Sequence, residues 1–214
     1  MAADEVRLGQ TKHTFVVEHL DPELEAWQQL EYNAIARECK ESGSSFTLSG
    51  RPSELASDPA LSAIATTATS VEELLAAANI PKSRACLLDP KGEKDISPED
   101  GELFEVFIFG GILGDEPPRD RTAELRAKGF VGRRLGPEQM TTDTAARVTR
   151  TVVQKKIPLD QIPFVDRPDI EVAKGETVSM PFKYVRLADG KPILPEGMMD
   201  LLASDADKDI LDLL

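Results

Sequence analysis

Two hydrophobic periods alternate along this chain. Thr14–Leu20 (TFVVEHL) is rich in β-branched and aromatic residues and stops at Asp21-Pro22, which predicts a strand. Pro22 suits a first helical turn capped by Asp21, and Leu24, Trp27, Leu30 and Ala34 then recur at helical spacing. The pattern predicts an amphipathic helix over Pro22–Glu41, closed near Gly43, and a second strand at Ser45–Ser49. Asp58–Asn79 is rich in Ala, Ser and Thr and weakly patterned, apart from a helix at Val71–Ala78 behind a Ser70 cap.

From Arg84 the signals sharpen. Ala85–Leu88 reads as a strand running into Asp89-Pro90, and Leu103–Phe109 (LFEVFIF) is a continuous apolar run of the buried-strand type. A glycine-rich loop, a helix over Arg119–Lys128, a strand at Phe130–Leu135, a Gly136-Pro137 turn and a helix over Gln139–Lys156 follow. Strands alternating with helices predict an α/β fold, a mostly parallel sheet flanked by helices. Beyond Pro158, short runs at Ile162–Val165 and Val178–Val185 suggest an extended arm, then a short helix from Pro195 and a solvated acidic tail. The expected organisation is a flexible extension (1–13), an α/β domain (14–157), and a C-terminal arm and tail packed on it (158–214).

Composition narrows the class. At 214 residues, 41% hydrophobic and 29% charged, the chain has globular composition and room for one large domain. No run reaches the roughly 18 apolar residues that cross a bilayer. The first residues lack the apolar core of a signal peptide, so the expectation is a cytoplasmic protein with no membrane association. Cys39 and Cys86 have no cysteine or histidine partner at metal-ligand spacing, which argues against a disulfide framework or a zinc site. The net charge of −13 repels polyanions, so RNA is disfavoured as a direct substrate and a basic protein is the easier partner.

Ligands of open α/β sheets settle beyond the carboxyl ends of the strands, and three such ends carry unusual loops. The first is Cys86-Leu87-Leu88-Asp89-Pro90, in itself a common strand-to-turn step. The second, Phe109-Gly110-Gly111-Ile112-Leu113-Gly114-Asp115, continues through Glu116, two prolines, Arg119, Asp120 and Arg121 to Thr122. Its glycines remove side-chain bulk where backbone must turn tightly or approach a ligand, yet it is neither GxGxxG nor a Walker loop. The third runs from Arg133 through Leu135-Gly136-Pro137-Glu138-Gln139-Met140 to Thr141-Thr142-Asp143-Thr144-Ala145, where a helix N-terminus supplies free N–H groups.

Taken together, the second and third loops resemble the signature of SPOUT methyltransferases. The blocks VEH, CLLDP, FGGILGD-PPRDRT, RRLG–QMTTDTA, MPF-YV and GKPILPEGM resemble those of the fungal SPOUT protein-arginine methyltransferases, which modify a ribosomal protein, from about Phe15 to the C-terminus. The resemblance implies a C-terminal trefoil knot, S-adenosyl-L-methionine as cofactor, and methylation of an arginine in a basic ribosomal protein. It also implies that the long C-terminal arm replaces the second knot of other SPOUT enzymes and permits a monomer. By position, the cofactor set is Leu87, Leu88, Asp89, Phe109, Gly110, Gly111, Ile112, Gly114, Leu135, Gly136, Met140, Thr141 and Thr142. An arginine acceptor calls for acids that bind and orient its guanidinium, and Glu18, Asp115, Glu116 and Asp143 are the candidates. His19 is a candidate general base or a turn cap, and Asp143 a candidate acid or a helix-terminus stabiliser. Two other readings stand beside this one: RNA methylation, the commoner SPOUT activity, and a non-catalytic ribosome-associated binding factor.

Overall fold

A computed structural model of the chain describes residues 6–110, 120, 122–173 and 175–211. Its centre is a six-stranded, all-parallel sheet. The strands are β1 (Thr14–Glu18), β2 (Ser45–Ser49), β3 (Ala65–Thr66), β4 (Ala85–Leu88), β5 (Val106–Gly110) and β6 (Val131–Arg133), in the order β3-β2-β1-β5-β4-β6. Side chains alternate across a strand, so each strand feeds two cores. Phe15, Val17, Leu48, Phe107 and Phe109 face one side, which is covered by α1 (Ala26–Glu41) and α5 (Thr142–Lys155). Val16, Leu87, Val106 and Ile108 face the other, covered by α2 (Val71–Ala77) and α4 (Thr122–Ala127). Burial on both faces is why β1, β4 and β5 read as unbroken apolar runs.

Short α3 (Asp100–Leu103) sits between β4 and β5. The segment before it wraps the exit of β6: Asp89 N–H donates to the Arg133 carbonyl (2.8 Å), Arg134 N–H to Lys94 (2.9 Å) and Ile96 N–H to Arg134 (2.9 Å). The C-terminal arm holds β7 (Phe164–Asp166), the antiparallel pair β8 (Asp169–Ala173) and β9 (Glu176–Ser179), and β10 (Lys183–Val185), which pairs β7. It ends in α6 (Met198–Leu211), so the short helix expected from Pro195 continues through the acidic tail to residue 211. Ile170, Met180 and Tyr184 form the arm's own small core. Lys183 N–H donates to the Gln139 carbonyl at 3.0 Å, tying the arm to the turn before α5.

Residues 6–13, expected to be a flexible extension, are held against the domain. Leu8 is buried beside α2, and the His13 ring sits 2.7 Å from the Gly101 carbonyl oxygen. No described helix is long and apolar enough to cross a membrane.

Candidate active site

Parallel strands bring their carboxyl ends to one edge of the sheet. In register, Glu18 lies beside Ser49 and Gly110, and Leu88 beside Phe109 and Arg133. At the β4–β5–β6 end of that edge lies a cavity of about 470 Å³, within the range of small-molecule sites. Leu88, Phe109, Leu135, Met140 and Ala145 supply apolar walls, and Gly110 brings main chain to the cavity at the end of β5. Gly136 turns the chain with φ +83, a conformation that a residue bearing a β-carbon adopts only with strain. The N-terminal turn of α5 forms the remaining wall through Thr142 and Ala145.

An ion-pair network braces the rim. Asp89, 3% exposed, accepts from Arg126 through both oxygens (Nε at 2.5 Å, Nη2 at 2.8 Å) and from the Thr122 hydroxyl at 3.1 Å. Burial works against its charge, but Arg126 and the Lys91 N–H outweigh it and hold the Asp89 carboxyl below the usual carboxylate range. Asp120 adds a second anchor for Arg126 at 2.9 Å and pairs Lys91 at 2.5 Å. Of the remaining rim acids, Glu138 is exposed, lines the cavity and has no hydrogen-bond or ion-pair partner among the described residues.

The structure therefore gathers Leu88, Asp89, Phe109, Gly110, Leu135, Gly136, Met140 and Thr142 around one space. Leu87 faces the opposite core, as strand alternation requires of the residue before Leu88. Thr141 is buried beside the cavity with its hydroxyl donating to Asp143 (2.7 Å) and Thr144 (2.8 Å). Gly111, Ile112, Gly114, Asp115 and Glu116 lie outside the described residues. Of the acids, Asp143 points into the protein and pairs Arg147 at 3.2 Å. Glu18 stands at the sheet edge but not on the cavity wall, and its Oε2 accepts from the Ser49 hydroxyl and from Val71 N–H at 2.9 Å.

His19 is also off the cavity wall. Its Nε2 faces the Glu23 carbonyl oxygen at 3.1 Å, an acceptor only, so Nε2 carries the proton. Nδ1 then accepts from the Tyr32 hydroxyl at 3.1 Å, and the ring serves to hold the β1–α1 loop. Arg133, at the end of β6, pairs Asp100 at 3.0 Å and stacks over Phe104, and so contributes to packing rather than to the cavity.

Asp120, Thr122, Glu138 and Ala145 also line the cavity; they stand in the second and third loops singled out from the sequence but were not among the site residues chosen. Glu138 stands two residues from both Gly136 and Met140, and Ala145 three residues from Thr142; that nearness was the available signal.

The match to known proteins decides the family. The model of the SFM1-like family, described as protein arginine N-methyltransferase SFM1-like, covers residues 14–209. This chain belongs to the SFM1-like family. It is 39% identical over 210 residues to the protein arginine N-methyltransferase SFM1 of Saccharomyces cerevisiae, covering 94% of this chain and 99% of the relative. The crystal structure of the yeast SFM1 complexed with SAM superposes with a TM-score of 0.80 at 37% identity, over 90% of this chain and 91% of that one. The yeast SFM1 complexed with SAH gives 0.79 at 38% identity, over 88% and 93%. A Trm10 from Thermococcus kodakaraensis shares the SPOUT-class fold alone, with a TM-score of 0.52 at 20% identity over 69% of this chain and 95% of that chain. The SFM1-like cavity described above lies at the carboxyl edge common to β4, β5 and β6.

Proposed function

We propose that this chain is an S-adenosyl-L-methionine-dependent protein-arginine N-methyltransferase whose cofactor lies in the cavity at the β4–β5–β6 edge. The observation that carries the reading is the convergence there of two strand ends and the β6–α5 turn on one apolar-walled space. The residues fit the group. Leu88, Leu135, Met140 and Ala145 offer apolar surface to an adenine and a thioether, while Gly110 and the Gly136–Met140 turn bring main chain to the cavity wall. When bound, the cofactor supplies an electrophilic methyl on a sulfonium.

The chain's own task is then to hold an arginine nitrogen in line and to accept the proton it sheds. A guanidinium is best held by a carboxylate through paired, charge-assisted hydrogen bonds. Asp89, Asp120 and Asp143 are already committed to Arg126, Lys91 and Arg147. Glu138 has no such partner among the described residues and stands at the cavity rim, so it is the carboxylate this reading assigns to the acceptor. Of the acids expected from the sequence, Asp115 and Glu116 keep a candidate role beside it, as does Glu18 at the sheet edge.

The acceptor is a basic ribosomal protein on this reading, in keeping with a net charge of −13, and the site of action is the cytoplasm. The main-chain bonds that join residues 89–96 to Arg133 and Arg134 at the exit of β6 support the trefoil knot. The C-terminal arm, docked through α6 on α1 and through Lys183 on the Met140 turn, supports a monomer. The test is incubation with methyl-labelled S-adenosyl-L-methionine, ribosomal proteins and ribosomal RNA. Label recovered as methylarginine is expected; label in RNA alone overturns the assignment.

A further inference from the structure

The N-terminus of α5 presents an unusual capping arrangement. Thr141 has the backbone of a helix cap (φ −64, ψ 158), but its side chain makes no cap hydrogen bond. Its hydroxyl instead donates to Asp143 and Thr144. The first N–H groups of a helix have no partner within it and need one from outside. Here the backbone N–H groups of Thr142 and Asp143 donate to the carboxyl group of Glu31, which is 2% exposed and comes from α1. Thr142 and Ala145, on the same first turns, form a wall of the cavity.

We infer that Glu31 is a positioning residue for the cofactor cavity, a buried carboxyl group on α1 that caps α5 and so fixes the wall from Met140 to Ala145. This rests on the cofactor reading given above.

The protonation state follows from what faces it. On α5 these are Asp143 and Arg147, on α1 Tyr32 and Glu38, and on β10 Tyr184. Arg150 completes the group by pairing Glu38. Arg147 pairs both Glu38 (2.6 Å) and Asp143 (3.2 Å). Two arginines thus balance two carboxylates, and a third charge on Glu31 would have no counter-ion. Burial first, then the charge of Asp143, push the Glu31 carboxyl well above the usual range. Geometry agrees: Glu31 Oε2 is buried and no hydrogen bond from the described residues reaches it to hold a charge there. A proton on Glu31 Oε2 leaves the other oxygen as an acceptor for the α5 amides.

The experiment compares the full-length wild type, Glu31→Gln and Glu31→Ala, titrated with S-adenosyl-L-homocysteine by calorimetry from mildly acidic to alkaline pH. Glutamine mimics the protonated acid, so at neutral pH it should bind within about twofold of wild type. Alanine should bind about tenfold more weakly, the usual scale of a lost cap. Wild-type affinity should fall as rising pH ionises Glu31 against Asp143, and the glutamine variant should lack that fall. The inference is overturned by a tenfold loss in Glu31→Gln at neutral pH, or by identical pH profiles for wild type and Glu31→Gln. If the alanine variant fails to fold, the glutamine comparison decides alone. Hydrogen exchange at the Thr142 and Asp143 amides gives a ligand-free readout: protection kept in Glu31→Gln supports the cap, and protection lost there contradicts it. Failure of the wild type to bind the ligand would strike the cofactor reading and leave that exchange result standing.

Discussion

Gly92 lies so close to the main chain of Arg133 that a β-carbon on it would stand 2.8 Å from the Arg133 carbonyl carbon. The segment that leaves β4 therefore lies on the chain that leaves β6 with no room for a side chain between them. Main-chain hydrogen bonds on either side of Gly92 hold the two in place. Both segments border the cavity, through Asp89, Pro90 and Lys91 on one side and Leu135 on the other.

Gly92→Ala should therefore do more than an ordinary surface substitution. The contact is backbone on backbone, so relief requires one strand exit to move, at a cost of about 1–3 kcal/mol. A lower melting temperature together with weaker cofactor binding is expected, read by thermal unfolding and calorimetry. Retention of both at wild-type values would show that the crossing is looser than described.

Parts of this arrangement were legible in the sequence. Ser45–Ser49 and Ala85–Leu88 are strands at the boundaries expected, because each is a short apolar or β-branched run between clear turn signals. Val71 begins a helix behind the Ser70 cap, with Glu73 completing a capping box. The first helix starts at Ala26 rather than Pro22, because Glu25 and Gln28 form the box that Asp21 was expected to provide. Asp21 accepts from the Gln28 side chain instead. The run Leu103–Phe109 was read as one strand, yet Leu103 closes α3, is 51% exposed, and the strand begins at Val106. A continuous apolar run carries no phase that would locate such a break. The glycine-bearing turns marked the cavity, since a turn's chemistry is local. Glu31 left no local sign, because its role exists only once α1 packs on α5.

Glu138→Gln should separate acceptor binding from cofactor binding. The side chain is exposed, so stability should stay within about 0.5 kcal/mol of wild type. Losing one charge-assisted partner of the guanidinium should raise KM for the protein substrate about tenfold. Cofactor affinity should be unchanged. Steady-state kinetics with varied protein substrate, alongside calorimetry, reads both; an unaltered KM would remove Glu138 from the acceptor site.

Ala145→Trp should fill the cavity. The residue is half-buried on the α5 wall, where an indole would occupy the space assigned to the cofactor. Binding of S-adenosyl-L-homocysteine should drop about a hundredfold or more while the melting transition is retained. Undiminished binding would place the ligand elsewhere.

The Asp89–Arg126 pair should leave its mark on acid stability. Its folded-state pKa lies below the unfolded value, so its stabilisation is present above the unfolded pKa and is lost as pH falls through the folded one. Asp89→Asn should cost about 1–3 kcal/mol at neutral pH, less than a fully enclosed pair because the Arg126 side chain is 33% exposed. The difference from wild type should shrink towards zero in strong acid. Denaturant melts across acidic pH check this, and a difference that persists undiminished would contradict the ion-pair origin.

The most direct measurement is a crystal structure of this chain with S-adenosyl-L-homocysteine. The account predicts adenine and thioether density between Leu88, Gly110, Leu135 and Met140, with Thr142 and Ala145 alongside. Density bound at any other place on the molecule would contradict it.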